Sequence, residues 1–240
     1  NSLRVITELH DGRKFMAQLI GIDKGTDLAV LKIQDDEIIF PSIEIEDSDK
    51  LNIGDIVLAI GNPYGLGQSV SMGIVSATGR EFDNPYSNYI QTDASINRGN
   101  SGGALIDSKG RLIGINTLIR SSSGGSEGIG LAIPSTNALE IISDLIQYGE
   151  VRRGWLGFSI ERLNLLRRGQ LVISEVVKDG PAYRGGLIKG DVINSINSEN
   201  PSYDNLYKTF ARSKPGEEIL LQVERGSSII NLSLITGQAD

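Results

Sequence analysis

The stretch "INRGNSGGAL", residues 96–105, sets Ser101 between Asn100 and the pair Gly102 and Gly103, with Gly99 two positions earlier. Glycines this dense let the backbone take positive φ and approach a ligand closely. A serine held there presents its hydroxyl to a substrate while neighbouring N–H groups point at the same spot. A tight turn between two strands has the same composition, so the surroundings have to decide.

Working outward, residues 1–134 read as short strands separated by turn signals. "VITEL", "FMAQLIGI", "LAVLKI", "DIVLAIG", "SVSMGIVSA", "NYIQTDA", "GALID", "LIGINTLI" and "GIGLAIP" are rich in Val, Ile and Leu. "DG" at 11–12, "NP" at 62–63 and 84–85, and "SKG" at 108–110 break them up. This spacing predicts an all-β barrel or sandwich. "SSSGGSEG" at 121–128 reads as a flexible connection. A helix follows: Ala138, Ile141, Ile142 and Leu145 share one face, Asn137 with Glu140 suggests a capping box, and Gly149 a stop.

After a linker at 150–154, about 85 residues mix strands with two short helical stretches, one after Pro181 and one through Asp204–Arg212. That pattern predicts a small α+β domain, giving boundaries of 1–149 and 150–240. Charge changes at the same place. Residues 1–150 carry 11 basic against 20 acidic side chains, whereas 151–240 carry 12 against 10. An acidic first part without a basic stripe argues against nucleic acid as a partner.

Mean hydropathy is -0.09, and no apolar run is long enough to span a membrane. The absence of cysteine excludes disulfides and thiol catalysis. The chain opens on Asn1 and runs straight into strand-like sequence, so an upstream piece carrying any targeting segment is expected.

"GNSGG" fits the G-x-S-x-G nucleophile elbow, but that fold needs a histidine after the serine. The chain has one histidine, His10. The order Asp, His, Ser fails too, because no histidine lies between the early acids and Ser101. The order His, Asp, Ser survives, that of double-barrel chymotrypsin-like proteases. It asks for a carboxylate near the start of a buried strand, and "GTDLAVLKI" offers Asp27. A plain turn aspartate is the competing reading.

His10 precedes Asp27 by 17 residues, one position before an Asp-Gly turn. The usual interval is about 30 residues or more, and a hairpin tip is a poor place for a base. The expected base therefore lies upstream of Asn1. The oxyanion hole reads as the N–H groups of Ser101 and Gly99.

"TDLAVLKI", "IGNPYGLGQSVSMGIVSA", "QTDASINRGNSGGAL", "GINT" and "EGIGLAIP" together resemble the HtrA (Do-like) serine proteases over residues 1–149. The resemblance implies a trypsin-like double β-barrel followed by PDZ domains, and residues 150–240 resemble one PDZ domain. It matches Ser101 to the nucleophile, Asp27 to the triad acid, and Gly99, Asn100 and Ser101 to the oxyanion loop. Ile115, Asn116 and Thr117 match the strand that pairs with substrate backbone. Arg80 matches a sensor-loop arginine through which the PDZ domain reports to the site; an exposed loop cation is the plainer reading. Asn100 carries no charge for a zymogen ion pair, so activation is expected to come from loop ordering.

In the PDZ-like part, "GWLGF" (Trp155, Leu156, Gly157, Phe158) resembles a carboxylate-binding loop onto which a peptide adds as a strand. Leu206 and Phe210 are candidates to line its groove, or else core residues. The resemblance further implies protein substrates in envelope stress, C-terminal peptides of unfolded proteins as PDZ ligands, a homotrimer, no cofactor and no metal. It places the chain in the periplasm and leaves open an inner-membrane anchor upstream. A protease-fold chaperone or peptide-binding module that no longer cleaves is the alternative.

Overall fold

The computed structural model describes residues 5–35, 38–62, 67–80, 88–97, 99–119 and 128–238. The break at 84–85, Arg98 and most of the Ser/Gly run (121–127) lie outside the described residues. The chain divides into two compact units, Asn1–Val151 and Arg152–Asp240.

In the first unit, β1 (Val5–Glu8), β2 (Lys14–Asp23) and β3 (Leu28–Ile33) form an antiparallel sheet in that order. Six strands then close into a barrel: β4 (Ile56–Gly61), β5 (Ser69–Arg80), β6 (Tyr89–Thr92), β7 (Ala104–Asp107), β8 (Leu112–Ile119) and β9 (Gly130–Pro134). Their order around it is β4-β5-β6-β9-β8-β7. All nine strand-like runs of the sequence are therefore strands. Period-two alternation turns Val57, Ala59, Val75 and Leu105 inward, where Ile90, Ile96 and Ile113 fill the barrel. Each Val, Leu or Ile side chain so removed from water stabilises the unit by about 1.5–3 kcal/mol.

Helix α1 (Ser135–Tyr148) buries Ala138, Ile141 and Leu145 against Leu28, Tyr89, Leu131 and Ile133. It stops at Gly149, whose N–H reaches the Leu145 carbonyl at 3.0 Å. Its start differs from expectation, because Asn137 and Glu140 lie inside the helix and form no capping box. The first turn is tied down from outside instead. Ser135 Oγ donates to the Glu46 carbonyl at 2.6 Å, and the Thr136 N–H donates to Ser48 Oγ, in a 3-10 turn at Ser48–Lys50. Such long-range caps leave no local sequence signature.

Among the described residues the second unit contains β10 (Gly154–Trp155), β11 (Phe158–Ile160), α2 (Arg162–Arg168), β12 (Leu171–Val176), α3 (Pro181–Arg184), β13 (Val192–Ile196), α4 (Tyr203–Arg212), β14 (Glu218–Arg225), β15 (Ser228–Ile235) and β16 (Gly237–Gln238). Strands β11 to β15 make one antiparallel sheet in sequence order, and β10 pairs with β16. Leu171, Ile173, Ile193, Leu221, Val223 and Leu234 form its core. Helix α2 was not expected: Leu163 and Leu166 are exposed, so no apolar stripe marks it. Its one signal is Gly169 at the C-terminus.

An ion pair between a half-buried arginine and a buried aspartate ties β14 to the turn before β13. The Asp191 side chain is fully buried, and Arg225 Nε and Nη2 each donate to its carboxylate at 2.8 Å. Burial pushes the Asp191 carboxyl up, but the Arg225 hydrogen bonds, the Ile188 N–H and the guanidinium charge outweigh it. The group ends below the usual carboxylate range.

Candidate active site

Ser101 sits on the loop between β6 and β7, and that loop is strapped down along its length. Asp93 accepts the Ile74 N–H at 2.7 Å, Thr92 Oγ1 accepts the Ala94 N–H at 3.1 Å, and Ser71 Oγ donates to the Ser95 carbonyl at 2.8 Å. From Asn97 the chain turns tightly: the Asn100 N–H donates to the Asn97 carbonyl and the Gly103 N–H to the Asn100 carbonyl, both at 2.9 Å. Gly99 and Gly102 hold φ of 104° and 84°, conformations that cost an L-residue strain.

This turn lifts Ser101 into solvent while its neighbours are clamped. Asn100 is 3% exposed, and its Nδ2 donates to the Ser95 carbonyl at 3.3 Å. A Cβ on Gly61 would come within 2.7 Å of Asn100 Cα, and one on Gly103 would strike the Ile60 carbonyl. The end of β4 therefore presses on the loop from behind. Nothing in the sequence around Ser101 pointed to Ile60 or Gly61. The available signal was a glycine closing an otherwise apolar strand.

The structure joins the turn of Ser101, Gly102 and Gly103 to β8. Ser101 Oγ donates to the Thr117 carbonyl at 2.7 Å, the Gly102 N–H to the Asn116 carbonyl at 2.7 Å, and the Asn116 N–H to the Gly103 carbonyl at 2.9 Å. This corrects the expectation for Asn116 as a substrate-pairing residue. Its backbone groups are taken by the loop and its side chain is fully buried. Both Asn100 Oδ1 and Asn116 Oδ1 are buried without a hydrogen-bond partner among the described residues. Ile115 is half-buried and pairs with Ala104 on one side and Ile133 on the other. Thr117, at an irregularity between Asn116 and Leu118, presents its carbonyl to the serine.

Asp27 lies at the end of the turn between β2 and β3, directly before Leu28. It is exposed rather than buried, and it holds φ 61°, which is uncommon outside glycine. The buried acid of that turn is Asp23, at 5% exposure. Asp23 spends its carboxylate on its own turn, accepting from the N–H groups of Gly25 and Thr26 and from Thr26 Oγ1. That leaves the Asp27 carboxylate facing outward.

His10 is exposed in the turn between β1 and β2. Pairing puts Glu8 opposite Lys14 at one end of β2 and Asp23 opposite Leu28 at the other. His10 and Asp27 therefore lie at opposite ends of a ten-residue strand, about 30 Å apart at the usual rise. They cannot share a proton.

Arg80 is the last residue of β5, opposite Tyr89, and not a loop residue. Its exposed Nε donates to Gln91 Oε1 at 3.1 Å.

In the second unit, β11 is an edge strand. The Val177 N–H donates to the Gly157 carbonyl, so the alternation of antiparallel pairing turns the backbone groups of Phe158 and Ile160 toward the open edge. Gly157 has φ 76°, and the Leu156 carbonyl accepts the Ala182 N–H. The Trp155 indole lies 2.8 Å from where a Gly157 Cβ would be. Leu206 belongs to the core at 3% exposure and does not line a groove. Phe210 is half-buried and meets Phe158 edge-to-face at 5.4 Å.

The trypsin-like peptidase domain family matches residues 1–115, and the PDZ domain family matches residues 172–225. The chain is 43% identical over 243 aligned residues to the periplasmic pH-dependent serine endoprotease DegQ of Escherichia coli, covering 96% of this chain and 53% of that protein. It is 42% identical over 230 residues to a probable periplasmic serine protease, do/HhoA-like, of Haemophilus influenzae, covering 91% and 49%. The chain thus spans about half the length of the curated relatives it matches. Among solved structures, the HtrA-type protease AlgW with a decapeptide superposes with a TM-score of 0.86 at 46% identity, covering 99% of this chain and 76% of that one. The serine endoprotease from Yersinia pestis gives 0.78 at 40%, covering 99% and 80%.

Proposed function

The chain belongs to the HtrA-type serine proteases, which couple a trypsin-like peptidase domain to a PDZ domain, and from that premise we propose that it is the cleaving and peptide-sensing part of a periplasmic serine endopeptidase. Its substrates are misfolded or regulatory proteins of the cell envelope. Ser101 attacks the scissile carbonyl, and the N–H groups of Gly99 and Ser101 hold the oxyanion. Asp27 orients a histidine supplied from outside these 240 residues, since His10 stands at the wrong end of β2. The observation that carries the reading is the exposed Ser101 hydroxyl on a loop clamped by β4 and β8.

That same displaced histidine favours the second reading, a protease fold that binds without cleaving. A fluorophosphonate probe separates the two. In the complete gene product we expect one adduct, located on Ser101 by peptide mass spectrometry. A folded product that acquires none would leave the binding reading standing.

The PDZ unit captures peptides by their free C-terminal carboxylate at Leu156, Gly157 and Phe158, and the peptide extends the sheet along β11. AlgW has been solved with a peptide, which supports this. Amidating an apolar C-terminal peptide removes charge-assisted hydrogen bonds and should weaken binding about 10- to 100-fold. Equal calorimetric affinity for acid and amide would overturn the assignment. Arg80 relays occupancy to the oxyanion loop, so Arg80→Ala in the complete product keeps this affinity and loses peptide-stimulated cleavage. Unchanged stimulation would reduce it to a surface cation.

A further inference from the structure

Near Ser101 the barrel is not a continuous ladder. Pairing between β4 and β7 runs from Val57 opposite Asp107 to Ala59 opposite Leu105 and then ends. Beyond it the backbone ladder is interrupted, although Gly103 still packs closely against the Ile60 carbonyl. The carbonyls of Ile60 and Ala104 are left at the mouth of this gap, and a buried carbonyl without a donor is costly.

One side chain fills it. Asn116 Nδ2 donates to the Ile60 carbonyl and to the Ala104 carbonyl, both at 3.1 Å. The backbone of the same residue holds Gly102 and Gly103, and the next carbonyl, that of Thr117, holds the Ser101 hydroxyl. Asn116 therefore ties β4, β7, β8 and the serine turn together through four hydrogen bonds.

Its chemistry is restrictive. Two donors on one short side chain are needed, and of the short side chains only asparagine has them. Aspartate would set an oxygen against two carbonyl oxygens, and serine has a single donor. Asn116 Oδ1 is meanwhile buried with no partner among the described residues.

We propose that Asn116 is a positioning residue for the nucleophile turn: its amide bridges the gap between β4 and β7 and so sets where the Ser101 hydroxyl and the adjoining N–H groups stand. This rests on the protease reading for its purpose but not for its geometry. Asn116 touches no substrate and acts through Gly102, Gly103 and Thr117.

The test is Asn116→Leu, which keeps the shape and removes both the donors and the orphan oxygen, with Asn116→Asp as a second variant. Amide hydrogen exchange is followed by NMR in the 240-residue chain. We expect exchange at Gly102 to speed at least tenfold while Val57, Ala59 and Leu105 keep their protection. If Gly102 speeds up only in step with those barrel amides, or not at all, the role is structural and the proposal fails. Should Asn116→Leu not fold, Asn116→Asp is read by the same two criteria.

In the complete gene product kcat should fall about 100-fold with KM within twofold. An unchanged kcat alongside a loosened Gly102 would also overturn the proposal. The exchange result does not need proteolysis, so failure of the protease reading leaves it separately decidable.

Discussion

Incubated with an unfolded protein substrate, the 240-residue chain should cleave on the order of a million-fold more slowly than the complete gene product. Proton removal from Ser101 needs a base within hydrogen-bond reach. The one histidine of the chain is exposed in the β1–β2 turn, at the far end of β2 from Asp27. The resting contact of the serine agrees, since its hydroxyl proton points at the Thr117 carbonyl, an acceptor that cannot take it. His10→Ala should accordingly leave the trace rate of the short chain untouched. In the complete product Ser101→Ala should remove the rate and His10→Ala should not. Turnover by the short chain that vanishes with His10→Ala would make His10 the base and refute the assignment of Asp27 to a histidine outside these residues.

The second large effect is on stability. Gly103→Ala should destabilise the first unit by about 4 kcal/mol. The added Cβ meets the Ile60 carbonyl and lies 2.9 Å from the Asn100 carbonyl, and both are backbone atoms that cannot swing aside. Overpacking of this kind costs about 1–3 kcal/mol. Forcing β4 away from the turn also strips Asn116 of a buried acceptor, which adds about 1–3 kcal/mol. For a unit of this size the melting temperature should fall by roughly 8–16 °C.

Gly102→Ala is the comparison. Its Cβ meets open space, but φ of 84° is strained for alanine, about 1–2 kcal/mol. Thermal unfolding followed by circular dichroism ranks them. If Gly103→Ala melts as high as Gly102→Ala, the close approach of β4 to the loop is wrong.

Much of the architecture was legible because strands are specified locally. Runs such as "DIVLAIG" and "SVSMGIVSA" are rich enough in Val, Ile and Leu to be strands whatever their partners, and turn residues lie between the runs. Which face goes inward was not legible, since the alternating set Val70, Met72 and Ile74 is exposed while Val75 and Ala77 are buried. The helix stop at Gly149 was legible for the same reason, since one residue and one φ decide it. Helix α2 escaped because two of its three leucines, Leu163 and Leu166, face solvent and only Leu165 packs on the core, so no apolar stripe forms.

For the site, residue order was enough to single out Ser101 and Asp27 and to exclude two other serine-hydrolase arrangements. These are one-dimensional facts, and the chemistry restricts them to few possibilities. Tertiary structure alone decided what each residue does once contacts form. It moved Asn116 from a substrate-facing strand to a buried bridge, put Leu206 in the core, and turned Asp27 outward while Asp23 went in. It also showed Ile60 and Gly61 pressing on a loop some 40 positions away. Such contacts join residues far apart in sequence, and those around Ser101 depend on where the β4–β7 ladder stops. No local pattern carries that information, because it exists only after the barrel has closed.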